Sequence, residues 1–307
     1  MFDTRTRQLT ADNVKALLEE KNSLLVDVLP PEHYQRRHIP GAFNACVYEI
    51  DFLNQMEMIC ADTSRRIILY GAGPASFDSR VAAEKLIQDN YTDVMIFPGG
   101  LQEWLDADNA LEGENPETPI LPHPALILDK PFFTIVPEES RVTWVGRNAM
   151  NRHTGTVNVF SGNILGSTDM LHGEIVLDMA SIADQDLAGD ELQPVLEGHL
   201  KSDDFFFTTL FPKAKLTITS MIPIPGRAAT QYTYNVTGTL SMRGMHKDIT
   251  FDAHLHNLEK NELAIMAHFD LDRTRWGIIY GSARFFEHLS YHLVYDLISI
   301  EARIVLA

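Results

Sequence analysis

From residue 132 to the C-terminus, apolar and polar side chains alternate one for one over long runs, and this pattern limits the fold more than any other. Leu263, Ile265, Ala267, Phe269 and Leu271 share one face of an extended segment, against Met266, His268, Asp270 and Asp272 on the other. Ile298, Ile300, Ala302, Ile304 and Leu306 oppose Ser299, Glu301 and Arg303 in the same way. Ile175, Leu177 and Met179 alternate with Glu174, Val176 and Asp178, and Val142 and Trp144 with Thr143 and Val145. Successive side chains of a strand point to opposite faces, so a period of two marks strands with one buried face. Such strands joined by turns, as around Gly155 to Gly162, imply an antiparallel sheet. Closing that sheet removes its edges, so residues 132–307 are expected to form an all-β antiparallel barrel.

One helical segment interrupts the pattern. Leu192, Val195, Leu196, His199 and Leu200 recur at spacings of three and four. A polar run then leads into Phe205, Phe206 and Phe207, and after Pro212 a strand begins in which Ala214, Leu216 and Ile218 alternate with lysines and threonines. Three adjacent phenylalanines cannot share one core face, so they either plug the end of the barrel or line a cavity. Phe211, Trp276, Tyr280, Phe285 and Phe286 are expected near the same mouth and, with Trp144, complete a candidate ligand-binding set. Eight strands is the size at which side chains fill a barrel or leave room for one ligand. Lys201, Asp204, Arg273 and Arg275 are candidates to meet a polar head, or are solvated surface charges.

Residues 1–108 follow a different rule. A helix with Val14, Leu17 and Leu18 on one side follows Thr10, a capping residue. The short apolar runs Ser23–Val28, Ile67–Tyr70 and Val94–Phe97 alternate with further helical segments after Pro30, Ser79 and Gly99. This order predicts a mostly parallel sheet with helices on both faces. Residues 109–131 form a linker in which Pro116, Pro119, Pro122, Pro124 and Pro131 exclude a continuous helix. Leu121 and Ala125 to Leu128 suggest that it is laid against a domain.

A chain of 307 residues accommodates two such domains. Its formal charge of −17 argues against nucleic acid and anionic lipid surfaces as partners. There is no apolar run long enough for a transmembrane helix and no signal-peptide pattern, so a cytoplasmic protein is expected. Cys46 and Cys60 lie outside any CxxC or CxxH, which gives no support to a disulfide framework or structural zinc. Histidines are plentiful, including His153, His172, His199, His246, His254, His256, His268, His288 and His292, but none shows ligand spacing with a third partner. No metal site is expected.

Leu25-Val-Asp-Val, His38-Ile-Pro-Gly-Ala, the Ile67–Tyr70 strand with its loop, and Pro98-Gly-Gly-Leu with Trp104 resemble a rhodanese domain in order and spacing. The resemblance implies a sulfur-carrying cysteine directly after the Tyr-ending strand, cradled by amides at a helix N-terminus that lower its pKa. Gly71 stands at that position, and Leu29 where the family often has arginine. The loop marked by Gly71, Gly73, Ser76, Ser79 and Arg80 is therefore read as catalytically degenerate, and as an anion site or a plain loop.

The second half resembles the YceI family. The residues concerned are Leu196-Glu-Gly-His-Leu-Lys-Ser-Asp-Asp-Phe-Phe, Pro212-Lys-Ala, the run Val236 to Phe251, Asp270-Leu-Asp-Arg-Thr-Arg-Trp-Gly-Ile and Tyr280-Gly-Ser. This resemblance implies a lipocalin-like barrel whose elongated apolar interior binds polyisoprenoids or other amphipathic lipids. The expectation is a carrier of an isoprenoid, quinone or fatty lipid that requires no cofactor, with the rhodanese-like domain as an interaction or regulatory module. A sulfurtransferase using another thiol such as Cys46 is the alternative, and a protein that binds a partner through both domains is a third. A protein partner at the rhodanese-like domain and a homodimer both remain open.

Overall fold

Short runs of Leu, Ile and Val that are apolar at every position become central strands covered on both sides, and they set the first unit. The structure, a computed structural model, describes residues 6–118, 126–258 and 261–307. The chain divides into two units, Met1–Pro122 and His123–Ala307. The first holds a parallel sheet of β1 (Arg7–Gln8), β2 (Ser23–Asp27), β3 (Phe43–Asn44), β4 (Arg66–Tyr70) and β5 (Val94–Phe97), in the order β1-β5-β4-β2-β3. Its helices are α1 (Ala11–Glu19), α2 (Pro31–Arg36), α3 (Phe52–Ile59), α4 (Asp78–Gln88) and α5 (Gly100–Asp106). Leu25, Ile68 and Phe97 pack with Val14 of α1 and Leu101 and Trp104 of α5. On the opposite face Val26, Ile67 and Leu69 pack with Phe52 and Met56 of α3 and Ala82 and Leu86 of α4.

Thr10 caps α1 through a reciprocal pair, its hydroxyl accepting from the Asn13 N–H and the Asn13 side chain accepting from the Thr10 N–H. Helix α3 lies outside the expected pattern. Phe52 and Met56 are its buried residues, Leu53 and Ile59 pack beside them, and no side chain caps it.

Asp27 closes β2 and is 0% exposed. One carboxylate oxygen accepts the Leu29 N–H at 2.8 Å, while Oδ2 has no hydrogen-bond partner among the described residues. Burial pushes this carboxyl from 3.8 up to about 7, with the Leu29 N–H and the Tyr70 hydroxyl pulling the other way. Between those values the folded chain keeps a proton that the unfolded chain has released, so stability falls as pH rises through this window and levels off above it. The expected loss is on the order of 4 kcal/mol, since each tenfold change in proton affinity is worth about 1.4 kcal/mol. Asp27→Asn keeps an oxygen for Leu29 and should flatten the profile. Hydrogen exchange of peptides spanning β2 and β4 in the full chain, corrected for intrinsic rates, measures it, and an equally steep profile in the variant would clear Asp27 as the cause.

Past Asp108 the chain stays on the first unit. Glu112 exchanges backbone hydrogen bonds with His38, and the Asn115 N–H donates to the Arg36 carbonyl. Pro119, Leu121, Pro122, Pro124 and Ala125 lie outside the described residues. Leu126 and Leu128 pack against the core of the second unit, and Ile127 exchanges two hydrogen bonds with the Asn257 side chain.

In the second unit the alternating runs become β6 (Phe132–Thr134), β7 (Arg141–Arg147), β8 (Arg152–Ser167), β9 (Met170–Asp184), β10 (Lys213–Pro223), β11 (Tyr234–Met242), β12 (Met245–Asn257), β13 (Leu263–Asp272) and β14 (Leu297–Leu306). All neighbours are antiparallel, and pairing of β8 with β9 closes the ring. Strands β6 and β7 lie one after the other along β8, separated by a 3-10 turn at Pro137–Glu139, so together they fill one position of an eight-stranded barrel. Helix α6 (Gln193–Lys201) is the one α-helix among the described residues of this unit. No helix among the described residues is long and apolar enough to cross a membrane.

Candidate functional site

The barrel is solid at one end and hollow at the other. Phe133, Ile164, Leu171, Tyr234, Val236, Leu255, Leu263 and Leu306 pack together and fill the first end. Towards the other end the inward face encloses a cavity of about 250 Å³. Apolar voids of about 150 Å³ already hold a benzene-sized guest. Leu177, Leu216, Phe251, Phe269, Ile298, Ile300 and Ala302 all line the void and all keep part of their surface accessible. Residues on the inward face of a closed barrel retain such exposure where nothing faces them.

The wall is apolar except at one end, where Arg147, Asn148, Asn151, His153 and Arg273 join it. The first four sit on the turn between β7 and β8 or beside it. Arg273 is buried and spent: it donates to the carbonyls of Ile278, Tyr295 and Val294 and pairs with Asp296. Burial lowers its pKa, and Asp296 and Asp272 oppose that shift. Arg147 donates to the Ser299 hydroxyl, which donates in turn to Asp270. Trp144 lies over Gly155, where a Cβ would overlap the indole, and its Nε1–H has no acceptor among the described residues. A buried donor left unpaired costs about 1–3 kcal/mol.

Of the aromatic residues singled out in the sequence, Trp144, Phe205 and Phe206 line the cavity, and the other six stand elsewhere. Trp276 is fully buried with its indole N–H on the Leu240 carbonyl, so it is packed wall rather than lining. Tyr280 sits behind Phe205, the rings 5.3 Å apart. Phe207 takes a left-handed backbone (φ +48) that turns it back onto Phe211, away from the interior. Phe285 and Phe286 are exposed. Among the polar candidates besides Arg273, Lys201 pairs with Glu197, Asp204 faces His199, and Arg275 lies over the Trp276 ring and donates to the Asp248 backbone carbonyl. The lining on β7, β9, β10, β13 and β14 was legible as an apolar face but not as a cavity wall, because alternation reports direction and not whether the opposite side is filled.

In the first unit, the loop after β4 is closed from within. The Asp78 carboxylate, at the start of α4, accepts the Ala72 N–H at 3.0 Å and the Tyr48 hydroxyl, and Asp78 is buried. A Cβ placed on Gly71 would lie 2.5 Å from the Asp78 Cβ and 2.8 Å from its Cγ. An internal carboxylate therefore stands where a side chain on Gly71 would lie. Gly100, at φ +52, lets α5 start against this loop, since a Cβ there would meet the Gly71 carbonyl. The Ser76 N–H closes a turn onto the Gly73 carbonyl, Ser79 is buried in α4, and Arg80 lies over the Phe77 ring. Cys46 is buried, and that burial pushes its thiol up, the opposite of what a sulfur carrier needs.

The model of the YceI-like domain matches residues 133–306, and that of the rhodanese-like domain residues 10–107. The chain is 30% identical over 109 residues to the adenylyltransferase and sulfurtransferase UBA4 of Candida albicans, covering 34% of this chain and 24% of that protein. It thus spans about a quarter of the length of that curated relative. BcnA of Burkholderia cenocepacia is similar in structure at 18% identity and a TM-score of 0.45, over 56% of this chain and 98% of that one. A polyisoprenoid binding domain from Saccharophagus degradans, implicated in plant cell wall breakdown, is similar at 13% identity and a TM-score of 0.42, over 58% and 98%.

Proposed function

We propose, from the premise that this chain belongs to the YceI-like family, that its barrel binds the apolar tail of an isoprenoid, quinone or other amphipathic lipid. The observation that carries the reading is the void of about 250 Å³ whose apolar wall keeps accessible surface. Each methylene buried there contributes about 0.8 kcal/mol, so six to eight of them supply about 5–6 kcal/mol, a sub-millimolar affinity before the cost of ordering the chain. The head stays at the polar end, beside Arg147, Asn148, Asn151 and His153. The rhodanese-like unit acts as a binding module and not as a catalyst, because Gly71 carries no thiol and Asp78 fills the cradle. Tyr48, Ile50 and Phe77 are exposed beside that loop and give the module an apolar face for a protein partner.

Organic extraction and mass spectrometry of the purified full chain should recover a prenyl or fatty lipid. In titrations, an oxygen-headed prenyl ligand and the matching hydrocarbon should both bind saturably, since the wall they meet is apolar. Absence of both a co-purified lipid and saturable binding of either probe would overturn the carrier reading.

A further inference from the structure

We infer a site for a zinc-class divalent metal ion at the polar end of the barrel, built from His153, Asp184 and Asp186. Strands β8 and β9 run antiparallel and pair Gly155 with Asp184, which brings the start of one strand beside the end of the other. One ligand atom from each of the three side chains falls within 4.8 Å of the others. Two of these atoms have nothing else to do. Asp184 is 2% exposed and its Oδ2 has no hydrogen-bond partner among the described residues. The His153 Nδ1 is likewise buried and unpartnered, 3.5 Å from that oxygen and outside hydrogen-bond geometry.

A carboxylate oxygen held in the interior without a donor is costly, and a cation shared with the facing imidazole removes that cost. The remaining contacts look like an outer shell. The Leu187 N–H donates to Asp184 Oδ1, and the Thr154 N–H donates to Asp186 Oδ2, so backbone amides aim both carboxylates. One imidazole and two carboxylates suit zinc and its neighbours better than calcium or magnesium, which take oxygen-only shells. Three protein ligands leave a coordination position open, and His153 also lines the cavity. The site does not depend on what fills the cavity. Sequence spacing could not show it, since its members come together only through strand pairing.

The test is calorimetric titration of the chelator-stripped full chain with Zn²⁺ alone, with Co²⁺ absorption as a second readout. One tight equivalent is expected, together with a visible Co²⁺ spectrum of low coordination number. His153→Ala and Asp184→Asn should each weaken that equivalent by at least about 100-fold, beyond the 10- to 100-fold cost of losing an outer partner. His153 is partly exposed, so its variant should fold. Asp186→Asn replaces Asp184→Asn if the latter fails to fold, with the same loss expected. A double His254→Ala, His256→Ala variant, whose rings pair elsewhere on the barrel, should bind as before. Absence of a tight equivalent, its survival in either ligand variant, or its loss in the His254 and His256 variant would overturn the assignment.

Discussion

Ala302→Trp should weaken lipid binding on the order of 100-fold while leaving the barrel folded. Ala302 faces inward from β14 between Ile300 and Ile304, lines the void and keeps accessible surface. An indole built there grows into empty space instead of into packed neighbours, so the usual overpacking cost of about 1–3 kcal/mol should be largely avoided. Displacing about four methylenes of a bound tail removes about 3 kcal/mol, a weakening on the order of 100-fold. The measurement is titration with a fluorescent prenyl or fatty probe, alongside thermal unfolding and lipid extraction of the variant. Unchanged affinity in a folded variant would place the ligand outside this cavity. The same substitution at Leu306, in the solid end, should instead destabilise, because no room exists there.

The contrast between those two positions shows what the sequence does and does not carry. Ala302 and Leu306 occupy equivalent places in one alternating run, and both were legible as inward-facing. What separates them is whether the opposite wall arrives, and that is a property of the closed ring. The aromatic cluster misleads for a related reason. Phe205 and Phe206 enter the lining, whereas the left-handed backbone at Phe207 swings the third ring out. The rhodanese-like half was legible in strand order because its central strands carry unbroken apolar runs, but β1 and β3 are two residues each and give almost no signal. Gly71 was visible as a missing thiol. That Asp78 stands where a side chain on Gly71 would lie depends on how α4 begins, which spacing alone does not specify.

Gly71→Cys should therefore fail to create a sulfurtransferase. The wild-type chain, and Cys46→Ser with it, should give background rates in a thiosulfate-to-cyanide assay, since Cys46 is buried with its pKa raised. Adding the cysteine alone should not help. Its Cβ would stand 2.5 Å from the Asp78 Cβ, an overlap that no swing of the carboxylate relieves, so the first turn of α4 must shift. The expected cost is about 3 kcal/mol, at the upper end for overpacking. A thiol that did enter would also sit against an ionisable carboxylate, which raises its pKa where the chemistry needs a thiolate. Removing that side chain as well reverses both effects. In Gly71→Cys with Asp78→Gly the Cβ has room, the Ala72 N–H loses its carboxylate, and the α4 N-terminus favours the anion. Alkylation of the new thiol by iodoacetamide at neutral pH should then run at least about 10-fold faster than in the single variant, as a tenfold or greater gain in thiol acidity requires. Equal alkylation rates, or sulfur transfer by Gly71→Cys alone, would show that Asp78 does not close this loop.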